Sequence, residues 1–148
     1  MTKREFLELV QSKIVLLDGA TGSNLQKRGM PAGVCPEQWI IEHGEIMKGL
    51  QKEYIAAGSD ILYAPTFGGN RIKLAEYGLE DKVVEMNEQL VHICRDAIKE
   101  ANADHSVYIA GDLTMTGEQL YPVGTLQFEE LVDVYKEQIQ VLVKAGID

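Results

Sequence analysis

Basic residues are scarce in this 148-residue sequence, where 14 lysines and arginines face 23 aspartates and glutamates for a formal net charge of −9. Displacing counterions from nucleic acid, or docking on an anionic membrane, needs a cationic face, so neither partner is expected. Long apolar runs are absent too. No stretch approaches the roughly 20 residues that span a bilayer. The opening Met1-Thr-Lys-Arg-Glu-Phe-Leu-Glu-Leu-Val10 has no uninterrupted apolar segment of the secretory type. Only two cysteines occur, Cys35 and Cys94, and they form no disulfide framework, as expected of a reducing cytoplasm.

Most signatures of catalysis are also missing. His43, His92 and His105 have no Cys-x-x-Cys or His-x-x-x-His partner, so no zinc site is expected within the chain. His92 and Cys94 lie two apart on a predicted helix and point different ways. Neither a Ser-His-Asp signature nor a dinucleotide fingerprint is present. The glycines at 19 and 22 lack the lysine and spacing of a P-loop. Cys94 reads as core, Cys35 as a helix cap or a solvent-facing thiol beside Pro36, and Trp39 as packing.

What is present is alternation. With 45 % hydrophobic residues the chain can build one domain with a core. A short helix is predicted over Arg4 to Ser12. The run Ile14-Val-Leu-Leu-Asp18 reads as a strand buried on both faces. A helix over Glu45 to Ala57, with Gly58 placed to cap it, precedes a strand over Asp60 to Pro65. The next pair is a helix over Asp81 to Asn102, with Val83, Met86, Leu90, Cys94, Ala97 and Ala101 on one stripe, and a strand over Val107 to Asp112. A last helix runs from Phe128 to Ala145, and its expected core face is Phe128, Leu131, Val132, Tyr135, Ile139, Leu142 and Val143. Ala57-Gly58-Ser59-Asp60 leads into a strand, and Ala145-Gly146-Ile147-Asp148 repeats its form. The expectation is therefore an α/β chain of three βα units and the start of a fourth strand, truncated before that strand. Alternating strands and helices imply a parallel sheet. Periodicity alone does not separate a closed barrel from a doubly wound sheet, yet both place chemistry at the carboxyl ends of their strands.

Three loops sit at such ends. Asp18-Gly-Ala-Thr-Gly-Ser-Asn24 offers a carboxylate for an ammonium group and open backbone for an anion. It can equally be a turn with Thr21 or Ser23 as a helix N-cap. Pro65-Thr-Phe-Gly-Gly-Asn-Arg71 supplies hydrogen bonds from Thr66 and Asn70 and an apolar wall from Phe67, or is a plain loop. Gly111-Asp-Leu-Thr-Met-Thr-Gly117, continuing to Gly124, has the length of a binding loop or lid.

These loops carry a resemblance. Ile14 to Gln26, Tyr54 to Asn70, its continuation Arg71 to Asp81, and Gly111-Asp112 with Thr116-Gly117 and Tyr121-Pro-Val-Gly124 resemble the homocysteine S-methyltransferase domain. That domain is the N-terminal barrel of cobalamin-dependent methionine synthase and is shared with betaine–homocysteine methyltransferase. The resemblance implies that residues 1–148 are the N-terminal portion of a (β/α)8 TIM barrel transferring a methyl group to the thiolate of homocysteine to give methionine. It implies zinc held by three cysteines of later strands, not ligated by this chain, and cobalamin or methyltetrahydrofolate engaged through other domains. Asp18 would meet the substrate amino group, the backbone of Gly19, Ala20 and Thr66 its carboxylate, and Phe67 and Asn70 would shape the pocket. No catalytic residue falls within the chain. Thr114-Met115 stand where the family has Gly-Pro, which leaves open another donor or acceptor: S-methylmethionine, betaine or a corrinoid protein. A non-catalytic, self-associating fragment is the alternative from a different class.

Overall fold

The computed structural model describes residues Met1–Asp148. Seven α-helices and two short strands follow in chain order: α1 (Lys3–Ser12), α2 (Gly22–Lys27), α3 (Pro36–Glu42), α4 (Gly44–Ala56), β1 (Ile61–Tyr63), α5 (Arg71–Ala75), α6 (Val83–Ala101), β2 (Tyr108–Ala110) and α7 (Phe128–Ala145). A single 3-10 turn, Glu80–Lys82, leads into α6. The first helix is started by a capping box, in which Thr2 and Glu5 satisfy each other's backbone N–H groups. Left-handed residues stop the long helices: Gly58 at φ 101°, Asn102 at φ 47° and Gly146 at φ 90°. No helix is long and apolar enough to cross a membrane.

β1 and β2 pair in parallel, Ile61 opposite Tyr108, Leu62 opposite Ile109 and Tyr63 opposite Ala110. On the free side of β1 the chain passes through Leu17, joined to Ile61 by a lone parallel bridge. Asp18 N donates to Ile61 O at 3.0 Å and Asp60 N to Leu16 O at 2.8 Å. On the free side of β2, Asp148 N donates to Ile109 O at 2.9 Å. Spatial order therefore follows sequence order.

The run Ile14-Val-Leu-Leu-Asp18 is an extended segment and not a strand buried on both faces. Ile14 is 86 % exposed, and Leu16 and Leu17 are each 49 % exposed. A parallel strand is covered on both faces only when it has neighbours along both edges and helices across both faces, and this segment has β1 on one edge alone.

The core gathers around α6, which packs against α3, α4 and α7. Leu25, Trp39, Met47, Leu50 and Leu90 form one cluster. Ala64, Val91, Cys94, Ile109 and Leu142 form another beneath the sheet. Each fully buried large side chain contributes about 1.5–3 kcal/mol of transfer free energy. The α6 stripe buries Val83, Met86, Leu90, Cys94 and Ala97 as its periodicity predicts, while Ala101 is only half-buried.

The expected core face of α7 needs correction. Val134, Gln138, Val141 and Leu142 are buried, whereas Phe128, Val132, Ile139 and Val143 are exposed. The helix carries two apolar stripes, and period alone favours the longer one. The stripe turned inward is the one whose glutamine finds hydrogen-bond partners inside.

Candidate functional site

The three strand-end loops meet on one side of the sheet around a cavity of about 460 Å³. In the first loop, Asp18 Oδ2 accepts a hydrogen bond from Tyr63 N at 3.1 Å. Its other oxygen, Oδ1, is buried without a partner. Burial pushes the Asp18 carboxyl up to about 6; the Tyr63 N–H pulls it down, and the charge of Asp112 nearby adds to the rise. Gly19 is required by a close approach, because a Cβ there would lie 2.9 Å from Tyr54 Oη. That hydroxyl donates to Ala20 O at 2.9 Å, and Asn24 Nδ2 donates to the same oxygen at 2.7 Å. The N–H groups of Gly19 and Ala20 make no hydrogen bond within the protein. Thr21 occupies the N-cap position of α2 with helical angles and no side-chain cap bond, so neither it nor Ser23 caps the helix.

The second loop is held from several sides. Thr66 is fully buried, and its hydroxyl donates to Asp112 O at 2.9 Å and accepts from Asp112 N at 3.2 Å. Thr66 N folds back onto Ala64 O at 2.7 Å. Gly68 N donates to Glu37 Oε1 at 2.7 Å. Asn70, also fully buried, caps α5 by accepting from Lys73 N at 3.0 Å. Phe67 is 55 % exposed. In the third loop, Thr114 N donates to Phe67 O at 3.2 Å, and Tyr135 Oη donates to Thr114 O at 2.9 Å. Asp112 is also pushed up by burial.

Of the six site residues expected from sequence, Gly19 and Phe67 line the cavity. Asp18 stands at its edge, since its chain neighbour Gly19 and its hydrogen-bond partner Tyr63 both line it. Ala20, Thr66 and Asn70 do not line it: Ala20 presents its carbonyl to Tyr54, and Thr66 and Asn70 turn inward to hold the loops. Sequence reasoning missed Glu37, Tyr63 and Asp112, all of which line it. A signal existed for Asp112, which ends its strand run as Asp18 ends the first. None existed for Glu37, because an acid in the first turn of a helix is ordinarily solvated, whereas this one is 5 % exposed.

The cysteines stand elsewhere. Cys35 is 4 % exposed, not solvent-facing, and makes no cap bond. Its thiol donates to Glu37 Oε2 at 3.5 Å, and burial pushes its pKa up. Cys94 is in the core, where burial raises its thiol to about 12 and Gln51 Nε2 donates to the sulfur at 2.8 Å. Both are kept as neutral thiols, Cys94 the more firmly because it is the more deeply buried. No three His, Cys, Asp or Glu side chains are grouped to hold a metal ion.

The cavity lining holds Asp112 and Glu37 with no lysine or arginine, together with Leu25, Met30 and Phe67. With Asp18 at the edge, the arrangement suits a small cationic head with an apolar tail.

A family model described as homocysteine S-methyltransferase matches residues 15–148. Methionine synthase of Mycobacterium leprae (strain TN) is 26 % identical over 153 residues, covering 97 % of this chain and 12 % of that protein. Betaine–homocysteine S-methyltransferase 1 of Danio rerio is 28 % identical over 149 residues, covering 99 % of this chain and 36 % of that protein. Among solved structures, the homocysteine methyltransferase MmuM from Escherichia coli superimposes in its metallated form with a TM-score of 0.76 at 19 % identity, over 95 % of this chain and 54 % of that one. Its oxidized form gives 0.78 at 21 % identity over 95 % and 53 %. The chain thus spans a minor part of these sequence relatives and about half of the solved chains.

Proposed function

The chain belongs to the homocysteine S-methyltransferase family, and we propose that it supplies the amino-acid-binding half of a site where a methyl group passes to the sulfur of homocysteine. In that reaction the donor–methyl bond breaks, a sulfur–methyl bond forms to give methionine, and the thiol proton leaves. Residues 1–148 would then be the first part of a (β/α)8 barrel. The consecutive order of the segment at Leu17, β1, β2 and Asp148 supports a singly wound sheet, because a doubly wound sheet reverses its order at a switch point.

The observation that carries the reading is the Asp18 carboxylate, with one oxygen on Tyr63 N and the other buried and unpartnered at the cavity edge. The substrate ammonium would take that oxygen, and the free N–H groups of Gly19 and Ala20 would receive its carboxylate. Thr66 N is already committed to Ala64 O, so Thr66 would act by holding the third loop in register. Phe67 would wall the methylene chain, and Asn70 would shape the loop through its cap. Zinc, cobalamin or methyltetrahydrofolate would be engaged outside these residues. Thr114 and Met115 keep S-methylmethionine, betaine and a corrinoid protein in play as donor or acceptor.

An NMR titration of L-homocysteine into the 15N-labelled chain tests the reading. Shifts should concentrate at Gly19, Ala20, Phe67 and Gly68 and vanish in Asp18→Ala. No shift at ~10 mM ligand, weaker than even a ~4 kcal/mol interaction allows, would rule it out. A second reading, self-association, draws on the exposed Phe128, Val132, Ile139 and Val143 of α7. Sedimentation as a monomer would exclude it.

A further inference from the structure

The second loop is gripped from behind by side chains that never reach the cavity. Asn87 on α6 and Gln138 on α7 are both fully buried. Gln138 Nε2 donates to Thr66 O at 2.7 Å and to Asn87 Oδ1 at 3.2 Å. Asn87 Nδ2 donates to Gly69 O at 2.8 Å and to Val83 O at 2.7 Å. The two amides thus bind each other and hold the backbone carbonyls at both ends of the Thr66–Gly69 turn, which Gly69 N closes onto Thr66 O at 2.9 Å.

We propose that Asn87 and Gln138 are positioning residues, an amide clamp that sets the Thr66–Gly69 turn and so fixes where Phe67 and Gly68 face the ligand. The inference rests on the reading above in one respect, that this turn walls the substrate cavity. Burying two amides in a core is costly unless each finds partners, and Gln138 bears part of that cost, since its Oε1 is buried without one. Apolar residues of similar shape would stabilise these helices as well or better, so helix packing alone does not account for them. The donors are aimed at a turn with no side chain of its own to anchor it at Gly68 or Gly69. The turn has also been fitted to the clamp: a Cβ at Gly69 would lie 2.6 Å from Asn87 Oδ1 and 3.0 Å from Gln138 Nε2. Gly68 is matched to the opposite grip in the same way, with a Cβ 2.9 Å from Glu37 Oε1. Three helices, α3, α6 and α7, therefore converge on four residues. Such support converts helix rigidity into loop position, which lowers the ordering cost of binding.

The clamp is tested without ligand, so its failure is separable from failure of the homocysteine reading. In the wild-type chain the Gly68 and Gly69 amides should show hydrogen-exchange protection comparable to that of α6. Exchange at free-loop rates there would overturn the proposal before any variant is made. Gln138→Met removes the donor at similar volume and should speed exchange at those two amides roughly tenfold, the factor that ~1.4 kcal/mol from one buried hydrogen bond gives. It should also shift the Phe67 and Gly68 resonances. The core variant Val134→Ala on the same helix controls for stability and should leave those resonances in place. Gly69→Ala attacks the clamp from the turn side and should reproduce the same shifts. If Val134→Ala perturbs the turn as much as Gln138→Met does, or if neither Gln138→Met nor Gly69→Ala perturbs it, the amides are merely structural.

Discussion

Lowering the pH should release homocysteine by protonating Asp18. Burial raises this carboxyl to about 6, from 3.8 in the unfolded chain. An acid raised on folding favours its protonated form, so its contribution to stability is fully present below the unfolded value. That contribution is lost as pH rises from about 4 through about 6. The ligand reverses the preference, because an ammonium beside Oδ1 stabilises the ionised form. With a value of 6, about nine-tenths of Asp18 is ionised near pH 7 and about one-tenth near pH 5, so affinity should fall about tenfold across that interval. Near pH 5 binding should expel about 0.9 proton per ligand, falling to about half a proton at pH 6. Calorimetric titrations at several pH values, each in two buffers of different ionisation enthalpy, read both quantities. Asp18→Asn should bind weakly with a flat profile. A wild-type affinity that stays constant between pH 7 and pH 5, or an Asn variant retaining the slope, would refute the assignment of the ammonium to this oxygen.

Other outcomes follow from packing. Gly19→Ala should destabilise the chain by about 1–3 kcal/mol in urea titrations, because the new methyl meets the Tyr54 ring and displaces the bond to Ala20 O. Leu142→Ala, in the cluster with Val91, Cys94 and Ile109, should cost about 2–5 kcal/mol by the same measurement. Cys94 should resist thiol reagents in the native chain and react on unfolding, since the thiol is both fully buried and raised to about 12. Labelling of Cys94 at native-state rates equal to those in denaturant would contradict that placement.

The alternation of strands and helices, the parallel pairing and the three loops were legible because helix period, glycine stops and strand-end position are local properties. The burial of Cys35 was not, because it depends on Leu74, Val83 and Met86 arriving from elsewhere in the chain. Nor was the inward face of α7, where Gln138 displaces apolar neighbours for the sake of Thr66 O, a partner 72 residues away. The site divides along the same line. Asp18, Gly19 and Phe67 belong to motifs readable in the sequence, whereas Glu37 enters through a contact with Gly68 that no local pattern announces. The cap made by Asn70 is itself local, yet its removal from the cavity wall is evident only from the way the turn folds.

The consecutive order of the parallel pairings has a consequence for how the chain finds its structure. Leu17 meets Ile61, Ile61 meets Tyr108 and Ile109 meets Asp148. Each pairing closes a loop of roughly 40 to 47 residues, lengths so alike that their closure entropies differ by only ~0.2 kcal/mol. Chain length therefore gives no pairing a head start. α6 packs against both α4 and α7, so its early formation is expected to let the strands on either side be added by closing one loop at a time. Substitutions on the buried stripe of α6 should then slow folding, while those at the cavity mouth should chiefly hasten unfolding.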